Sequence, residues 1–599
     1  MNRVAANDDA GDARVRTHPS DRPGLRERLH PLLRRPLAVA ALLAATVLAL
    51  YWPALHAPWY MDDIPVIVRN PLLRDPLACL RDLWQPRGLA ILSFSLNYLL
   101  GGSDPFGYHL VNVALHAGCA LLVFLLLRPA LDPSPVASLL GALLFVAHPL
   151  QTQAVTYVVQ RMAVLAGFFF LLSLCLFVRS RRLLAVGAAF CSSRHLGCYG
   201  GALLCGARAV LTKENTAVLP AALYLYVAFF LPPAADRRRL LLSLLPFCAV
   251  PALLFLFRLL VPLAAGSSLA AIAGAERLAS TSQLGPWHYL VTEFSVLWIY
   301  LRMLFLPYGQ ALEHGYPLVS TPFDPLSLGA GAGLLLLGAL AWRLRDRQPL
   351  LAAGIAWFFL TLAVESTFIP LDPLFEHRLY LPMFGFVLIA FGLIRLFPGR
   401  LTGLALLTSF LLLCLPLSWQ RNRLWADPIA FYRDNLEKVP HSERVLSDLA
   451  DSLLAAGRPG EAEGLLRQAL ERNPDYLFAT INLIAVYAGQ GRLPEAIALA
   501  QQALEAHPHA KELLAALGVL RYKSGDPEAG LLLLERALAI DPNYDQALNN
   551  RAAILARTGR FAEAEAAFRR ALDLNPDNLT LRNDLALALR LQGKIGEAE

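Results

Sequence analysis

The chain has 599 residues, of which 56% are hydrophobic and 17% are charged, and its mean hydropathy is +0.47. A soluble domain carries roughly 25% charged and about 45–50% apolar residues, so these figures exclude a chain that is soluble throughout. They also exclude collagen, a disordered chain and a small disulfide scaffold. The length exceeds what one hydrophobic core spans.

The formal net charge of +7 divides into two parts of opposite sign. From Glu443 onward there are 17 Lys and Arg against 22 Asp and Glu, whereas the rest of the chain holds 36 against 24. The basic excess therefore lies in the apolar part, where it indicates membrane topology rather than nucleic-acid binding. Only five Lys accompany 48 Arg, a bias that favours a GC-rich bacterial genome.

The apolar segments begin after a polar stretch. Residues 1–35 contain eight Arg and predict a cytoplasmic arm, and the following run to Leu55 predicts an uncleaved signal-anchor. A helix needs about 20 residues to cross a bilayer, a length that nearly all later segments reach. These segments lie at 108–128, 136–150, 158–178, 183–211, 215–232, 240–262, 288–306, 326–342, 349–369, 379–397 and 401–418.

Arginine-rich short loops face the cytoplasm, and this rule sets the predicted topology. All arginine-rich short loops face the cytoplasm if segment 288–306, which contains Glu293 and Arg302, lies at the membrane interface instead of crossing the bilayer. We therefore predict about eleven crossings, with everything after Leu417 outside the cytoplasm. Most of the polar residues of interest then share one external face, in the loops 56–107, 151–157, 212–215 and 370–378.

One segment is irregular. Within 183–211, the polar run Cys191–His195 and several glycines interrupt the apolar pattern. Because glycine is a weak helix former, we expect a distorted helix there.

The C-terminal part is a repeat array with a period of 34 residues. Helix–turn–helix units of this period are tetratricopeptide repeats, in which glycine supplies the turn and proline ends the second helix. About four and a half repeats are predicted in a domain at 443–599, joined by a linker at 419–442 to a membrane domain at 36–418. The recurring residues are Pro440, Pro474, Pro508, Pro542 and Pro576, and Gly457, Gly491, Gly525, Gly559 and Gly593.

Two adjacent acids, Asp62 and Asp63, stand in the first external loop. Paired carboxylates near a membrane surface are costly to desolvate, and the repulsion between them raises one pKa, which suits a general base. The alternative is a solvated loop with two ordinary acids.

Several cations on the same face are candidates for binding a phosphate. Arg161 lies at an external helix edge, Lys213 is the only Lys before residue 438, and His377, Arg378 and Tyr380 open a later crossing. A guanidinium binds phosphate through two parallel hydrogen bonds. The alternatives are snorkelling to lipid headgroups, an ion pair with Glu214, and a simple cluster at a helix start.

Further polar residues are candidates for lining a substrate crevice between the helices. His109 and Asn112 share one helical face. The alternative is that such residues form polar contacts between helices. The candidate crevice residues are His109, Asn112, His148, Gln160, Glu214 and Glu376.

These motifs together resemble the transmembrane-and-tetratricopeptide-repeat-containing (TMTC) proteins, and the resemblance covers essentially the whole chain from Pro36. It implies an all-α GT-C fold related to protein O-mannosyltransferases. It also implies a polyprenyl-phosphate sugar donor, transfer to a protein hydroxyl, and a base at Asp62 or Asp63, with Asp62 favoured. The residues that carry it are Met61–Ile64, Phe94–Tyr98, Phe106–Asn112, His148–Gln151, Tyr157–Arg161, Lys213–Asn215 and His377–Pro382.

The resemblance further implies that the donor phosphate contacts Arg161, Lys213 and Arg378. We expect no cofactor or metal, although paired Asp can bind a divalent ion. The repeats are expected to bind the acceptor outside the inner membrane of a bacterium. Two alternatives stay open, namely a non-catalytic membrane-anchored scaffold for envelope proteins and a ligase that acts on polysaccharide or lipid. A transporter is less favoured because the charges cluster at one face.

Overall fold

The structure of the protein is a computed structural model. The structure describes residues 35–131, 135–186, 189, 191–231, 237–264, 285–367, 369, 371–574, 579–594 and 596. All regular secondary structure in these ranges is helical, which confirms the all-α fold class. The predicted cytoplasmic arm lies outside the described residues, apart from Arg35.

An Asp-Pro pair starts several of the helices. The side chains of Asp75, Asp104, Asp324 and Asp427 each accept a hydrogen bond from a backbone N–H of the first turn, and a proline follows each of them. Aspartate satisfies a free N–H at this position, and proline fits the first helical residue because it needs no N–H donor there. The local sequence therefore fixes where these helices begin.

The apolar part of the chain forms fifteen described helices. They are α1 (Pro36–Tyr51), α2 (Pro76–Arg81), α3 (Gly88–Gly101), α4 (Pro105–Ala130), α5 (Pro135–Ala147), α6 (Gln151–Thr156), α7 (Arg161–Ala185), α8 (Ser193–Thr212), α9 (Leu219–Phe230), α10 (Arg237–Ala264), α11 (Pro286–Phe305), α12 (Pro325–Leu344), α13 (Pro349–Leu362), α14 (Pro382–Ile394) and α15 (Arg400–Trp425).

Six helical segments of the described chain are long and apolar enough to cross a membrane. Five shorter apolar helical segments in the same domain fall below that length. The predicted membrane domain is thus confirmed as a bundle of apolar helices, and the number of crossings stays a prediction. The six are Pro36–Ala54, Pro105–Ala130, Val158–Ala185, Arg237–Val261, Pro325–Leu344 and Leu401–Trp425.

A close backbone approach joins α13 to α14. A Cβ at Gly354 would lie 2.6 Å from the carbonyl oxygen of Gly385, so glycine is required at this contact. Beside it, the fully buried Trp357 donates from its indole nitrogen to the carbonyl oxygen of Leu381 at 2.9 Å. This contact fixes α14, and with it the segment that carries Arg378.

Helix α11 packs along the connections at one end of the bundle. The hydroxyl of Tyr289, near its start, donates to the carbonyl oxygen of Glu365, and that of Tyr300 donates to the carbonyl oxygen of Phe375. Near its end, the carbonyl oxygen of Leu304 lies 2.9 Å from Nε2 of His148. All three partners belong to connections between helices, so both halves of α11 contact one end of the bundle, and its interfacial position stays a prediction.

The segment 183–211 is not a single distorted helix. Helix α7 ends at Ala185, and α8 starts at Ser193 and continues regularly to Thr212. The hydroxyl of Ser192 accepts the N–H of His195, so the polar run that the sequence shows as an interruption is the start of a helix. The expected distortion is therefore wrong for the described residues of α8.

The repeat domain forms nine described helices in the predicted order, and a further helix precedes them. The five repeated glycines all have positive φ, between +72° and +95°, as a turn between antiparallel helices requires. The helices are α16 (Pro428–Lys438), α17 (Glu443–Ala455), α18 (Pro459–Arg472), α19 (Leu477–Gly489), α20 (Leu493–Ala506), α21 (Lys511–Lys523), α22 (Pro527–Ile540), α23 (Asp545–Arg557), α24 (Phe561–Leu574) and α25 (Leu579–Leu591).

The predicted linker at 419–442 is helical. Helix α15 continues through it to Trp425, and α16 occupies most of the rest. Trp425 and Phe431 are fully buried, and Tyr432 is buried too. The segment is therefore a packed junction between the membrane helices and the solenoid, because its apolar side chains have partners in both parts.

Two substitutions test the role of the repeat glycines. Gly491→Ala should destabilise the solenoid by about 1 kcal/mol, since an L-residue in the left-handed conformation is strained. Gly464→Ala in α18, where open space surrounds the position, should stabilise it by about 0.5–1 kcal/mol. Thermal unfolding of the full-length protein followed by circular dichroism measures both, and equal melting temperatures would contradict the assignment.

Candidate active site

The two adjacent acids after α1 lie in opposite environments, and Asp63 is the buried one. Its Oδ1 accepts the N–H of Val159 at 2.7 Å, and its Oδ2 accepts the N–H of Tyr60 at 3.1 Å. Burial raises the pKa of Asp63 to about 8, although these N–H groups favour the charged form. Because the Asp63 side chain is fully buried and both of its oxygens hold backbone N–H groups, it is less accessible than Asp62 to an incoming hydroxyl group.

Asp62 presents its carboxylate to solvent, with 57% of the side chain exposed. Its backbone N–H donates to the hydroxyl of the buried Tyr157 at 2.9 Å. The preceding residue, Met61, has a left-handed φ of +39°. Such backbone strain costs about 1–3 kcal/mol outside glycine and is typical of functional sites. The fold therefore maintains a strained turn that exposes one acid and buries the other.

An aromatic junction anchors this turn. The hydroxyl of Tyr60 donates to the carbonyl oxygen of Trp425 at 2.6 Å, and its ring centroid lies 5.1 Å from that of Trp425 and 4.9 Å from that of Phe431. The ring of Tyr157 stacks on that of Trp425, with 6.0 Å between the ring centroids. Since Trp425 ends α15 and Phe431 belongs to α16, the acid-bearing turn is attached directly to the start of the solenoid.

A cation from the solenoid reaches the exposed acid. Nη2 of Arg444, in α17, lies 3.4 Å from Oδ1 of Asp62, and its Nε lies 3.6 Å from Oε2 of Glu313. Burial raises the pKa of Glu313 above its ordinary value and raises that of Asp448, one turn along α17, to about 7. The exposed acid therefore shares the guanidinium of Arg444 with Glu313, and Asp448 lies one turn further along the same helix.

A second cluster contains predicted cations. Nζ of Lys213 lies 2.7 Å from Oε1 of Glu365, whose other oxygen accepts the side-chain N–H of Asn215 at 3.0 Å. Although burial raises the pKa of Glu365, Lys213 and Arg378 together lower it below its ordinary value. Lys213 is thus held in place by an ion pair.

Arg378 is anchored in the same cluster. Its Nη2 donates to the carbonyl oxygen of Asp372 at 2.6 Å and its Nη1 to that of Pro373 at 2.9 Å. The carboxylate of Glu293 lies 3.8 Å from Nη1. Arg378 is therefore a buried cation with a fixed orientation, and one acid beside it compensates its charge.

His377 lies among these cations. Its backbone N–H donates to Oε1 of Gln153 at 2.7 Å, and its Nδ1 lies 3.2 Å from the same oxygen. Burial lowers the pKa of His377 well below its ordinary value, and Lys213, Arg378 and Arg87 lower it further. The imidazole is therefore neutral at pH 7 and lies in a positive field.

Arg87 is a member of this group that the sequence analysis missed. It stands immediately before α3, it is exposed, and its φ of +63° makes it, with Met61, one of two non-glycine residues with left-handed φ in the described ranges. Within the described chain its side chain has no hydrogen-bond or ion-pair partner. Nothing in the motif around it signals a role, because its neighbours come from other segments.

Arg258 attaches the turn before Arg87 to the Lys213 cluster. It donates to the carbonyl oxygens of Trp84 and Gln85 at 3.2 and 3.1 Å, and its Nη1 lies 2.9 Å from Oε1 of Glu214. Glu214 directly follows Lys213 in the chain. Glu214, predicted to line a crevice, therefore serves as the anchor that brings the Arg87 turn to the cations.

The acid cluster consists of Asp62 and Glu313 with Arg444, and the cation cluster consists of Lys213, His377 and Arg378. The two clusters lie at the same end of the bundle, on either side of residues 311–314. Oε1 of Glu376 accepts the N–H of Ala311 at 2.7 Å and lies 3.1 Å from Nε2 of His314. Glu313, within this segment, contacts the arginine that also contacts Asp62. Glu376 is a chain neighbour of His377, so the fold brings the predicted acid and most of the predicted cations to one face.

The structure does not bring Arg161 to this face as an available cation. Its Nε donates to Asn112, its Nη1 donates to Asn97 and to the carbonyl oxygen of Ser93, and its Nη2 donates to the carbonyl oxygen of Tyr108, at 2.6 to 3.1 Å. Four of its five N–H groups are used in this way. Arg161 thus connects α3, α4 and α7, and its contact with a phosphate stays a prediction.

Other predicted residues are buried in polar contacts between helices. The hydroxyl of Tyr380 lies 2.9 Å from Nδ1 of His116, and Nε2 of His109 lies 3.0 Å from the carbonyl oxygen of Ala57. His148 contacts α11 in the same way, and Gln160 is partly buried at the start of α7. For Tyr380, His109 and His148 the structure shows buried polar contacts, and a role of these residues and of Gln160 in a substrate crevice stays a prediction.

Among the residues that the structure describes, no group of three or more His, Cys, Asp or Glu side chains is arranged to hold a metal ion. Asp62 has a guanidinium as its neighbour, whereas a divalent ion requires several oxygen ligands. The expectation that no metal takes part stays a prediction.

The different roles of the two acids are testable by their effects on stability. Asp62→Asn should change the free energy of unfolding by less than about 1 kcal/mol, because an exposed ion pair contributes little. Asp63→Asn should lower it by about 1–3 kcal/mol, because an amide NH₂ would face one of the two N–H donors. Thermal unfolding of both full-length variants measures these changes. An equal loss of stability in the two variants would contradict the different roles of Asp62 and Asp63.

The repeat domain matches the family model described as tetratricopeptide repeat, over residues 447–511, 481–545, 515–578 and 549–599. Among solved structures, the chain is similar to a thermophilic TPR protein of Thermus thermophilus, with 22% identity, 32% of this chain and 100% of that chain covered, and a TM-score of 0.26. It is similar to the MamA protein with 19% identity, 26% and 85% covered, and a TM-score of 0.22.

Curated relatives match both parts of the chain. Protein O-mannosyl-transferase TMTC1 of Homo sapiens is 28% identical over 518 residues, which cover 75% of this chain and 56% of that protein. TMTC3 of Mus musculus is 35% identical over 23% of this chain and 17% of its own length. The tmtc2 protein of Xenopus laevis is 50% identical over 16% and 11%. The chain therefore spans little more than half the length of the TMTC1 protein that it matches.

Proposed function

We propose that this chain, which is a TMTC-like protein, transfers a sugar from a polyprenyl-phosphate donor to a protein hydroxyl at the external face of a membrane. Mannose is the first sugar to test, because the relatives are named protein O-mannosyl-transferases. One observation carries the proposal: an exposed carboxylate on a strained, anchored turn lies at the same end of an apolar helix bundle as a cluster of cations.

The geometry suits a direct displacement at the sugar carbon. Asp62 accepts the proton of the acceptor hydroxyl while the oxygen of that hydroxyl forms a bond to the anomeric carbon. The bond between this carbon and the phosphate oxygen breaks, and the electron pair leaves with the polyprenyl phosphate. Because phosphate is a good leaving group, no general acid is needed. Cations beside it stabilise the developing negative charge.

The cation cluster supports binding of the phosphate through Arg87. Lys213 and Arg378 each have an acid beside them, which compensates part of their charge while they still contribute to the local field. The guanidinium group of Arg87 is exposed, and a planar guanidinium binds phosphate through two parallel hydrogen bonds. In this arrangement the phosphate binds next to Lys213, His377 and Arg378, which lie deeper in the protein. Arg87 contacts the phosphate from the loop before α3.

The solenoid supports a protein acceptor, because its first and fourth repeats both contact the loop between α1 and α3. Arg444 of the first repeat lies beside Asp62, and Nη1 of Arg74 donates to the carbonyl oxygen of Leu574 in the fourth repeat. Tetratricopeptide solenoids bind partners on an extended concave surface. A polypeptide held there would have its hydroxyl side chains near Asp62.

We also propose that the protein lies in the inner membrane of a bacterium with its repeats outside the cytoplasm. The apolar helices and the arginine-rich short loops, which are expected to face the cytoplasm, support this orientation. Protease treatment of spheroplasts should cleave the repeat domain without lysis, and protection of the repeats until lysis would contradict the orientation.

The role of Asp62 predicts a loss of transfer without a loss of fold. Purified full-length protein is incubated with polyprenyl-phosphate mannose carrying a labelled sugar and an envelope protein fraction. Asp62→Asn should lower the rate at least about 100-fold, as removal of a general base does. Asp104→Asn is the matched control, because Asn caps α4 as well as Asp does. Undiminished transfer by Asp62→Asn would remove the assigned base.

The role of Arg87 predicts a change in the use of the donor. Arg87→Ala should raise the KM for the donor about tenfold, the loss expected for one charge-assisted contact. Arg81→Ala, an exposed arginine of the same loop at the end of α2, is the control and should leave this KM unchanged. A donor KM that is equal in the two variants would show that Arg87 does not contact the phosphate.

A further inference from the structure

Arg444 is the residue through which the solenoid contacts the exposed acid. It is the second residue of α17, and 382 positions separate it from Asp62 in the chain. Its guanidinium uses two different nitrogens for two acids of the membrane domain. Nη2 approaches Oδ1 of Asp62 at 3.4 Å, and Nε approaches Oε2 of Glu313 at 3.6 Å.

The surroundings make this arginine important for the orientation of Asp62. Asp448 lies on the same helix one turn further on, and its Oδ2 is buried without a hydrogen-bond partner among the described residues. Arg444 therefore lies between the carboxyl groups of Asp62 and Glu313, with the buried Asp448 on its own helix. Like charges repel, so without Arg444 the exposed Asp62 side chain would turn away from Glu313.

The backbone of Arg444 is fixed relative to the acid loop. The hydroxyl of Ser442 caps α17 by accepting the N–H of Val445 at 3.2 Å. The preceding helix, α16, packs through Phe431 and Tyr432 against Tyr60, which lies two residues before Asp62. The contacts of Tyr60 with α16 thus connect the segment that carries Asp62 to the segment that carries Arg444, which restricts the distance between these two side chains.

We propose that Arg444 is a positioning residue, which holds Oδ1 of Asp62 and leaves Oδ2 to accept the proton of the acceptor hydroxyl. This inference rests on the proposed transferase function. The proton moves from the acceptor hydroxyl to Oδ2, the acceptor oxygen binds the sugar carbon, and the phosphate leaves with the electron pair of the broken bond. Arg444 keeps its own protons throughout. The membrane domain thus supplies the base, and the solenoid supplies the side chain that orients it.

This arrangement gives the solenoid a function beyond recruitment of an acceptor. An acceptor bound on the solenoid and the base that deprotonates it would share one rigid frame. Alignment of reacting groups contributes strongly to rate, and a misplacement of about 1 Å costs up to about 100-fold. The site is therefore incomplete without the first repeat.

The test compares Arg444→Gln and Arg444→Lys with Arg560→Gln in the full-length protein. Arg560 is the matched control, because it is an arginine of the same solenoid whose side chain is 38% exposed, as is that of Arg444, and it forms an ion pair with Glu563 at 2.7 Å. The probes are polyprenyl-phosphate mannose and the envelope protein fraction. The measurements are kcat, the KM for the donor and the melting temperature.

We expect Arg444→Gln to lower kcat at least about tenfold, with the donor KM changed less than about twofold. Arg444→Lys should recover part of kcat, because an ammonium keeps the charge but not the planar fork. Arg560→Gln should behave as the unmodified protein, and the melting temperatures should agree. A merely structural role for Arg444 would instead lower the melting temperature and leave no rescue by lysine.

Two results would overturn the inference. If Arg444→Gln and Arg560→Gln have equal kcat while Asp62→Asn is inactive, the transferase proposal stands and the role of Arg444 is excluded. If the unmodified protein transfers no sugar, the proposed function fails and the inference fails with it. Should Arg444→Gln not fold, the lysine variant decides: a folded variant whose kcat is changed while its melting temperature and donor KM are not supports the role, and a kcat that falls only together with the melting temperature excludes it.

Discussion

The buried carboxyl group of Asp63 connects two separate parts of the chain, and the geometry of the site depends on it. One oxygen accepts an N–H from its own turn and the other accepts an N–H from the start of the segment that leads into α7. A buried carboxyl group is expensive to desolvate, and these hydrogen bonds offset that expense. As a result the turn is held in a strained conformation in which Met61 has a left-handed φ and Asp62 faces solvent.

The same turn connects the membrane helices to the solenoid. Tyr60 contributes its ring to the aromatic junction and its hydroxyl to the end of α15. Buried aromatic side chains contribute large apolar areas and specific edge-to-face contacts. The repeat domain is therefore not suspended on a flexible tether. It is packed against the loop that carries Asp62, which explains how a residue of the first repeat contacts that acid.

The cations of the site differ in how far other protein groups already compensate their charge and accept their hydrogen bonds. Arg161 donates four hydrogen bonds within the helix bundle, and Lys213 and Arg378 lie beside buried acids. A cation buried in an apolar bundle needs such partners, because an unpaired charge there is strongly destabilising. The exposed Arg87 has no side-chain partner among the described residues, and it lies on a loop rather than in the bundle. Arg161, Lys213 and Arg378 therefore have structural partners within the protein, whereas Arg87 is available to a ligand.

The sequence by itself determined the periodic and compositional features. Apolar segments of helical length predicted the bundle, the 34-residue spacing predicted the solenoid and its turn glycines, and the local motifs predicted Asp62, Lys213 and Arg378 as candidate site residues. These features depend on neighbours along the chain, so one sequence is sufficient to recognise them. Tertiary structure decided which acid is exposed, that the linker is a packed junction, and that Arg161 and Tyr380 lie inside the bundle. It also added Arg87 and Arg444, because contacts between residues as far apart as 62 and 444 depend on how helices pack and leave no local periodic signal.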